Sequence, residues 1–186
     1  MVEQLVERIR KKDQMKTESQ RAMSQLYQMY VEELSSVCYR YVPSETDAKD
    51  VLQNSFVKIF TSITTIDYRS DESLKGWMKK IVVNEALSFL RERKRLLIVE
   101  QDTEATQISD DVEPQTRDIS DDELHRLISE LPDGYRTVVN LHVFEGCPHK
   151  KIAALLGITE STSASQLYFA KRVLAKRINE LIYGKQ

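Results

Sequence analysis

Residues 150–167, "KKIAALLGITESTSASQL", decide what kind of fold this is. Ile152, Ala153 and Leu156 recur at helical spacing, Gly157 stops the run, and Thr159 offers a hydroxyl cap to a second helix. Two steeply crossing helices need a small residue where they touch, a glycine in the turn and an apolar residue just after it. Ala153, Gly157 and Ile158 fill those three places. A plain helical hairpin shares the small residue and the glycine, so the second helix supplies the check. Its inner face is expected at Leu167, Ala170, Leu174, Ile178 and Leu181, opposite Thr162, Ser165, Gln166, Phe169, Arg172 and Lys176. Short hydrogen-bonding side chains come first and cations later, as in a helix whose first turns enter a DNA major groove and whose later turns meet the backbone. Gln pairs bidentately with adenine and Phe touches a thymine methyl. A solvated helix face accounts equally for Ser161 and Thr162 taken singly.

Upstream, "DDELHRLISEL" reads as a helix with an acidic start, and "PDGYRTVVNLHVFEG" as another, with Pro132 suited to its first turn and Gly146 to its end. The N-terminal half has the same period. "ESQRAMSQLYQMYVEELSSVCYRYV" places Leu26, Met29, Tyr30, Leu34, Val37 and Tyr41 on one stripe and stops before Pro43. "SETDAKDVLQNSFVKIF" follows, with Ser44 or Thr46 as N-cap, acids in its first turn and a stripe of Val51, Leu52, Ser55, Phe56 and Ile59. Apolar residues recur at i, i+3 and i+4 throughout, and Gly (5) and Pro (4) are few among 186 residues, so the fold is expected to be all-α.

The net charge of −2 hides a segregation along the chain. Ten acids and one base, Arg117, fall between Glu100 and Glu123, leaving 26 basic against 19 acidic residues elsewhere. That segment, "EQDTEATQISDDVEPQTRDISDDE", has no apolar period and reads as a solvated linker. The expected organisation is two small helical domains, residues 1–97 and 123–186, joined by an acidic flexible linker, 98–122. Cys38 and Cys147 stand in no disulfide or metal spacing, which fits a reducing cytoplasm. "MVEQLVERIRKKDQ" lacks the apolar core of a secretory leader, and "LLIV" (96–99) is far too short to span a bilayer. His125, His142 and His149 sit in no catalytic motif and no glycine-rich phosphate loop occurs, so neither an enzyme nor a cofactor is expected.

The helix "LKGWMKKIVVNEALSFLRERKRL" carries the chemistry of the first half. With Leu74, Met78, Ile81, Val82 and Phe89 expected inside, Lys80, Asn84, Leu87, Arg91 and Arg95 form one stripe: a cationic track with an amide in its middle. A solvated charged face is the ordinary reading of such a run. Here "RERKR" sets four cations against Glu92 alone, and phosphate is a natural counter-charge. An amide both donates to and accepts from a base edge.

The two halves together resemble a sigma factor of the extracytoplasmic-function group, bacterial RNA polymerase subunits that retain two conserved domains. "DAKDVLQNSFVKIF" is similar to the family's polymerase-binding helix, "LKGWMKKIVVNEALSFLRERKR" to its promoter-melting and minus-10 segment, and "LPDGYRTVVNLHVFEGCPHKKIAALLGITESTSASQLYFAKRVL" to its minus-35 domain. The resemblance implies that Asp47, Asp50, Gln53, Asn54 and Phe56 dock onto the clamp of the polymerase largest subunit. It implies that Asn84 and the loop Tyr68, Arg69 and Ser70 hold a flipped minus-10 base, with Lys80, Leu87, Ser88, Arg91 and Arg95 along the strand. Thr162, Ser165, Gln166, Phe169, Arg172 and Lys176 would meet the minus-35 duplex. Where the family carries "EGTVKSRLxRAR", this chain has Ser161, Ser163, Ala164, Gln166, Phe169 and Lys171, so cations are missing at 164, 166 and 169.

Core RNA polymerase (clamp, and flap of the second-largest subunit), promoter DNA and an anti-sigma factor are the implied partners. The acidic linker either threads the polymerase near the nascent RNA or serves as a tether. A stand-alone helix-turn-helix regulator explains residues 130–181 but leaves the stripe at 80–95 and the helix at 47–60 without a role. Tight operator binding without polymerase would distinguish it.

Overall fold

Val2, Leu5, Val6 and Ile9 follow the i, i+3, i+4, i+7 pattern and are all buried, making Val2–Arg10 an amphipathic helix, α1, laid against the next one. The computed structural model describes residues 1–10, 16–93 and 119–183, and all regular structure among them is helical. The chain divides into two compact units, Met1–Phe89 and Leu90–Gln186. Residues 98–118 of the expected 98–122 linker lie outside the described ones.

In the first unit, α2 (Lys16–Tyr41) buries Leu26, Tyr30, Leu34, Val37, Cys38 and Tyr41 and stops before Pro43. Met29, expected inside, is exposed; Cys38 takes an inner position instead. Burial pushes the Cys38 thiol up to about 12, and its S–H donates to the Ala48 carbonyl at 3.5 Å, as befits an inert packed cysteine. α3 (Glu45–Ser62) is capped by Ser44, whose Oγ accepts from the Asp47 N–H. Val51, Ser55, Phe56 and Ile59 form its inner side, and Ser55 satisfies its buried hydroxyl by donating to the Val51 carbonyl at 2.7 Å. Arg10 at the end of α1 donates to the carbonyls of Ile63 and Ile66, tying that helix to the turn after α3.

α4 (Asp71–Glu92) begins on a reciprocal cap: the Ser73 N–H donates to Ser70 Oγ at 3.1 Å and the Ser70 N–H to Ser73 Oγ at 3.0 Å. Leu74, Met78, Val82, Ala86, Leu87 and Leu90 are its core side. The expected inner residues Ile81 and Phe89 are only half-buried, so the helix is turned by about one residue, ~100°, from the expected setting. Two ion pairs join Lys75 (3.1 Å) and Lys79 (2.7 Å) of α4 to Glu33 of α2, and the Lys79 hydrogen bond holds the Glu33 carboxyl below its ordinary value.

The second unit starts at α5 (Asp121–Ser129) with a complete capping box: Ser120 Oγ accepts from the Glu123 N–H, and the Glu123 carboxylate accepts from the Ser120 N–H. Asp121, Asp122 and Glu123, the last acids of the charged stretch, are thus the first turn of a helix, where negative charge meets the positive end of the helix dipole. α6 (Asp133–Val139) is buried from Gly134 onward and runs into one π-helical turn, Asn140–Phe144, closed by the Glu145 N–H on the Asn140 carbonyl. Arg136, almost wholly buried, donates to the carbonyls of Ser129 and Leu131 and pairs with Asp133, so one guanidinium fastens the α5–α6 corner.

α7 (His149–Leu156) ends at Gly157, whose φ of +70° places it in the left-handed region that lets the chain turn back. Gly157 and Ile158 both donate to the Ala153 carbonyl, and Thr159 Oγ1 accepts from the Thr162 N–H at 3.0 Å to open α8 (Glu160–Tyr183). α7 packs against α8, with Ile152, Ala153 and Leu156 buried on the one and Leu167 and Ala170 on the other. The helix-turn-helix expected from residues 150–167 is present.

Candidate nucleic-acid interface

Because the core side of α4 runs through Met78, Val82, Ala86 and Leu90, its opposite side presents Lys80, Asn84, Ser88 and Arg91 at successive turns. Lys80, Asn84 and Arg91 are exposed and Ser88 is half-buried. Lys80 has no ion pair and the Asn84 amide no hydrogen bond among the described residues, so both are available to a ligand. Leu87, expected on this track, is 2% exposed and belongs to the core, because the helix must turn an unbroken apolar ridge inward. Arg95 lies outside the described residues.

The loop before α4 is built of short-range contacts. Tyr68 donates its phenol proton to Asp71, and that hydrogen bond pushes the phenol pKa up to about 12. Arg69 Nε is 2.8 Å from Asp67 Oδ2, both side chains well exposed, and Ser70 spends its hydroxyl on capping α4. Tyr68 and Ser70 are half-buried and Arg69 exposed.

On α3, Asp50, Gln53 and Asn54 are exposed, and Val57 continues the same face one turn on. Phe56 and Asp47, expected on that face, are buried instead. Phe56 is 4% exposed, with its ring against Tyr27 (centroids 4.6 Å apart) and Phe60 (5.8 Å); an aromatic ring carries too much apolar area to leave out when a core is one residue around the helix.

The second exposed face is on α8. Thr162 and Ser165 are exposed, and Phe169, Arg172 and Lys176 half-buried. Gln166, expected on the reading side, is 6% exposed and lies inward with Leu167 and Ala170. Its Oε1 is buried and has no hydrogen-bond partner among the described residues. The inner side of α8 is not set by hydropathy alone, since Ser163 is also fully buried, sharing a 2.9 Å hydrogen bond with His149 Nδ1 at the start of α7. Positions 163, 166, 167 and 170 lie inward, and Leu174 and Leu181, expected inside, are half-buried further along the same side.

The turn from inner to outer side exposes a residue that the sequence reading passed over. Tyr168 is 47% exposed, one turn after Ser165 and one before Arg172, whose guanidinium carbon lies 5.4 Å from its ring centroid. The i, i+3 and i+4 relation to Ser165 and Arg172 was the signal available. Phe169 packs edge-on to Tyr168 (5.4 Å, 68°) and stacks on Tyr135 of α6 (6.5 Å, 25°), which makes it a brace.

The histidines are engaged in structure. His142 Nδ1 donates to the Cys147 carbonyl at 3.0 Å and its ring stacks on that of His149 at 4.7 Å; His125 Nδ1 donates to the Asp121 carbonyl and its ring stacks on Phe144. None of the helices among the described residues is long and apolar enough to cross a membrane.

Each unit matches a known family. Residues 26–96 match the model of sigma-70 region 2, and residues 121–174 that of sigma-70 region 4. RNA polymerase sigma factor SigV of Bacillus subtilis is 31% identical over 138 residues, covering 74% of this chain and 80% of its own. The ECF RNA polymerase sigma-E factor of Haemophilus influenzae is 26% identical, covering 96% of this chain and 95% of its own. Among solved structures, the sigma factor RpoE in complex with the anti-sigma factor NepR from Bartonella quintana is 22% identical with a TM-score of 0.47, over 82% of this chain and 94% of the other.

Proposed function

The chain belongs to the sigma factors of bacterial RNA polymerase, in the extracytoplasmic-function group, and on that premise we propose how its faces divide the work of initiation. The outer side of α4 takes the minus-10 element: the Asn84 amide reads the edge of an extruded base, Lys80 and Arg91 hold phosphates of the separated strand, and the Tyr68–Ser70 loop bounds the site. Extruding a base costs a few kcal/mol, which a shaped site with an amide at its centre offsets. Thr162, Ser165 and the residues one and two turns beyond them on α8 meet the minus-35 duplex. Asp50, Gln53, Asn54 and Val57 of α3 dock onto the clamp of the polymerase largest subunit, and the second unit meets the flap of the second-largest.

The chain acts in the cytoplasm and performs no catalytic step of its own. An anti-sigma factor is a further partner in this reading. The stand-alone regulator loses its ground, since α3 and α4 fall within the region 2 match that it left without a role.

The observation that carries the reading is the stance of Lys80, Asn84 and Arg91, all exposed on the side of α4 opposite a continuous apolar core. The test is transcription from genomic fragments by core polymerase with and without the chain. Transcripts that appear only with the chain, and whose start sites share upstream motifs at minus-10 and minus-35, are expected; Asn84→Ala is expected to lower output from them about tenfold while leaving polymerase binding intact. Transcripts insensitive to Asn84→Ala, Lys80→Ala and Arg91→Ala alike would overturn the assignment of α4.

A further inference from the structure

Between Glu160 and Ala170 the sole charged side chain of α8 is Glu160, an acid. Cations begin only at Lys171 and Arg172, followed by Lys176 and Arg177. Lys176 lies 3.9 Å from Glu180, and Arg177 lies 3.7 Å from Glu130, just after α5. Arg172 is held in a different way. Its guanidinium lies over the face of Tyr168, 5.4 Å from the ring centroid, and its Nη1 donates to the Tyr168 hydroxyl at 3.3 Å. A cation at this distance from an aromatic face is attracted to the ring's negative centre. Tyr168 is braced in turn by Phe169 edge-on, and Phe169 by Tyr135, which is 1% exposed in the core. A chain of three rings therefore runs from the middle of the second unit to one guanidinium at its surface.

Guanidinium is planar and binds an oxyanion through two parallel N–H bonds, so fixing its plane in advance lowers the conformational entropy that binding must remove. Arg172 is twelve residues beyond the start of α8 at Glu160, about 18 Å along the axis. A recognition helix reads base edges with its N-terminal residues, so a cation this far along meets the sugar-phosphate backbone. We propose that Tyr168 is a positioning residue that holds Arg172 as the phosphate anchor of the minus-35 duplex, supplying from one preset side chain the backbone contact that the entering turns of α8 lack. This rests on the assignment of the outer side of α8 to the minus-35 element.

The test uses holoenzyme assembled from core polymerase and the full chain, with promoter duplexes that carry a single uncharged methylphosphonate at successive positions along the minus-35 backbone. For the unsubstituted chain, one position is expected to weaken complex formation about tenfold. Arg172→Ala and Tyr168→Ala are expected to weaken binding to the unmodified promoter by a similar factor and to be indifferent to the methylphosphonate at that position. Tyr168→Phe keeps the ring and is expected to keep the sensitivity; joining Tyr168→Ala to Arg172→Ala is expected to add no further loss. Variants that respond to every methylphosphonate as the unsubstituted chain does overturn the proposal. So does a loss confined to one base identity, which would make Arg172 a base reader. If the unsubstituted holoenzyme responds neither to minus-35 base changes nor to any methylphosphonate there, the assignment of α8 fails and takes this inference with it.

Discussion

α4 and α8, whose outer sides we propose meet DNA, bury different kinds of residue on their inner sides. α4 is set by hydrophobic burial: Leu74, Met78, Val82, Ala86, Leu87 and Leu90 leave no doubt which side goes in, and the charged side chains take what remains. α8 buries Ser163 and Gln166 beside Leu167, Ala170, Val173 and Ile178, and Ser163 shares a hydrogen bond with His149 of α7. The apolar stripe of either helix is legible to within about one residue, Leu167, Ala170 and Ile178 of α8 included; what a hydropathy count does not show is that α8 also carries the polar Ser163 and Gln166 inward.

The largest effect is expected at Leu87. Leu87→Ala is expected to destabilise the first unit by about 3 kcal/mol through lost burial and the cavity left behind, whereas Lys80→Ala, on the outer side, should stay within about 0.5 kcal/mol, both measured by urea unfolding. Equal effects would mean that α4 is not oriented by its core. Next in size, Gly157→Ala is expected to cost about 1–2 kcal/mol in the second unit, because φ of +70° is unfavourable for any residue with a Cβ, although the space around the glycine is open.

The same logic reverses sign at Gln166. Gln166→Met keeps the volume and removes a buried carbonyl oxygen that has no partner among the described residues, so a gain of about 1 kcal/mol is expected in thermal unfolding, with promoter preference unchanged. A changed preference at minus-35 would return Gln166 to the reading side and undo the contrast between the helices. The smallest effect belongs to Glu33, whose pairs with Lys75 and Lys79 are largely solvent-screened. Glu33→Gln is expected to cost about 0.5 kcal/mol at neutral pH. The Glu33 pKa is lowered in the folded state, so its contribution is full above the ordinary carboxylate pKa and fades as pH falls through the lower folded value; unfolding curves of the two proteins should converge in acid.

Much of the fold was legible in the sequence because the apolar period is strong and the punctuation is standard. α2 stops before Pro43, α3 starts at Ser44, α7 ends at Gly157, and Thr159 caps α8, all where local chemistry leaves few alternatives. α1 was legible too, in Val2, Leu5, Val6 and Ile9, but the stretch was read only for the absence of a leader. What escaped were features decided by neighbours. Asp47 lies inward without any local pattern that names it, whereas the burial of Phe56 was already written in the apolar stripe of α3 and competes with the docking role the resemblance implied. The π turn at Asn140–Phe144 adds a residue to a helical turn without any marker in the sequence. Tyr168 became visible as a surface residue only once Gln166 was known to be inside.

The hydrogen bond between Ser163 and His149 bears on portability. It spans the turn at Gly157 and joins two helices at a second point, fourteen residues apart in the chain, so the angle between them is braced like a truss. A designer who wished to give this chain another relative's promoter choice would transplant the first turns of α8. Such a graft would bring the aliphatic residue that is common at position 163 in the family and strip His149 of its partner. If the start of α8 reads promoter DNA as proposed, its residues are therefore not a cassette: His149 and Ser163 have to travel together, or the borrowed helix is delivered at an angle for which its side chains were not selected.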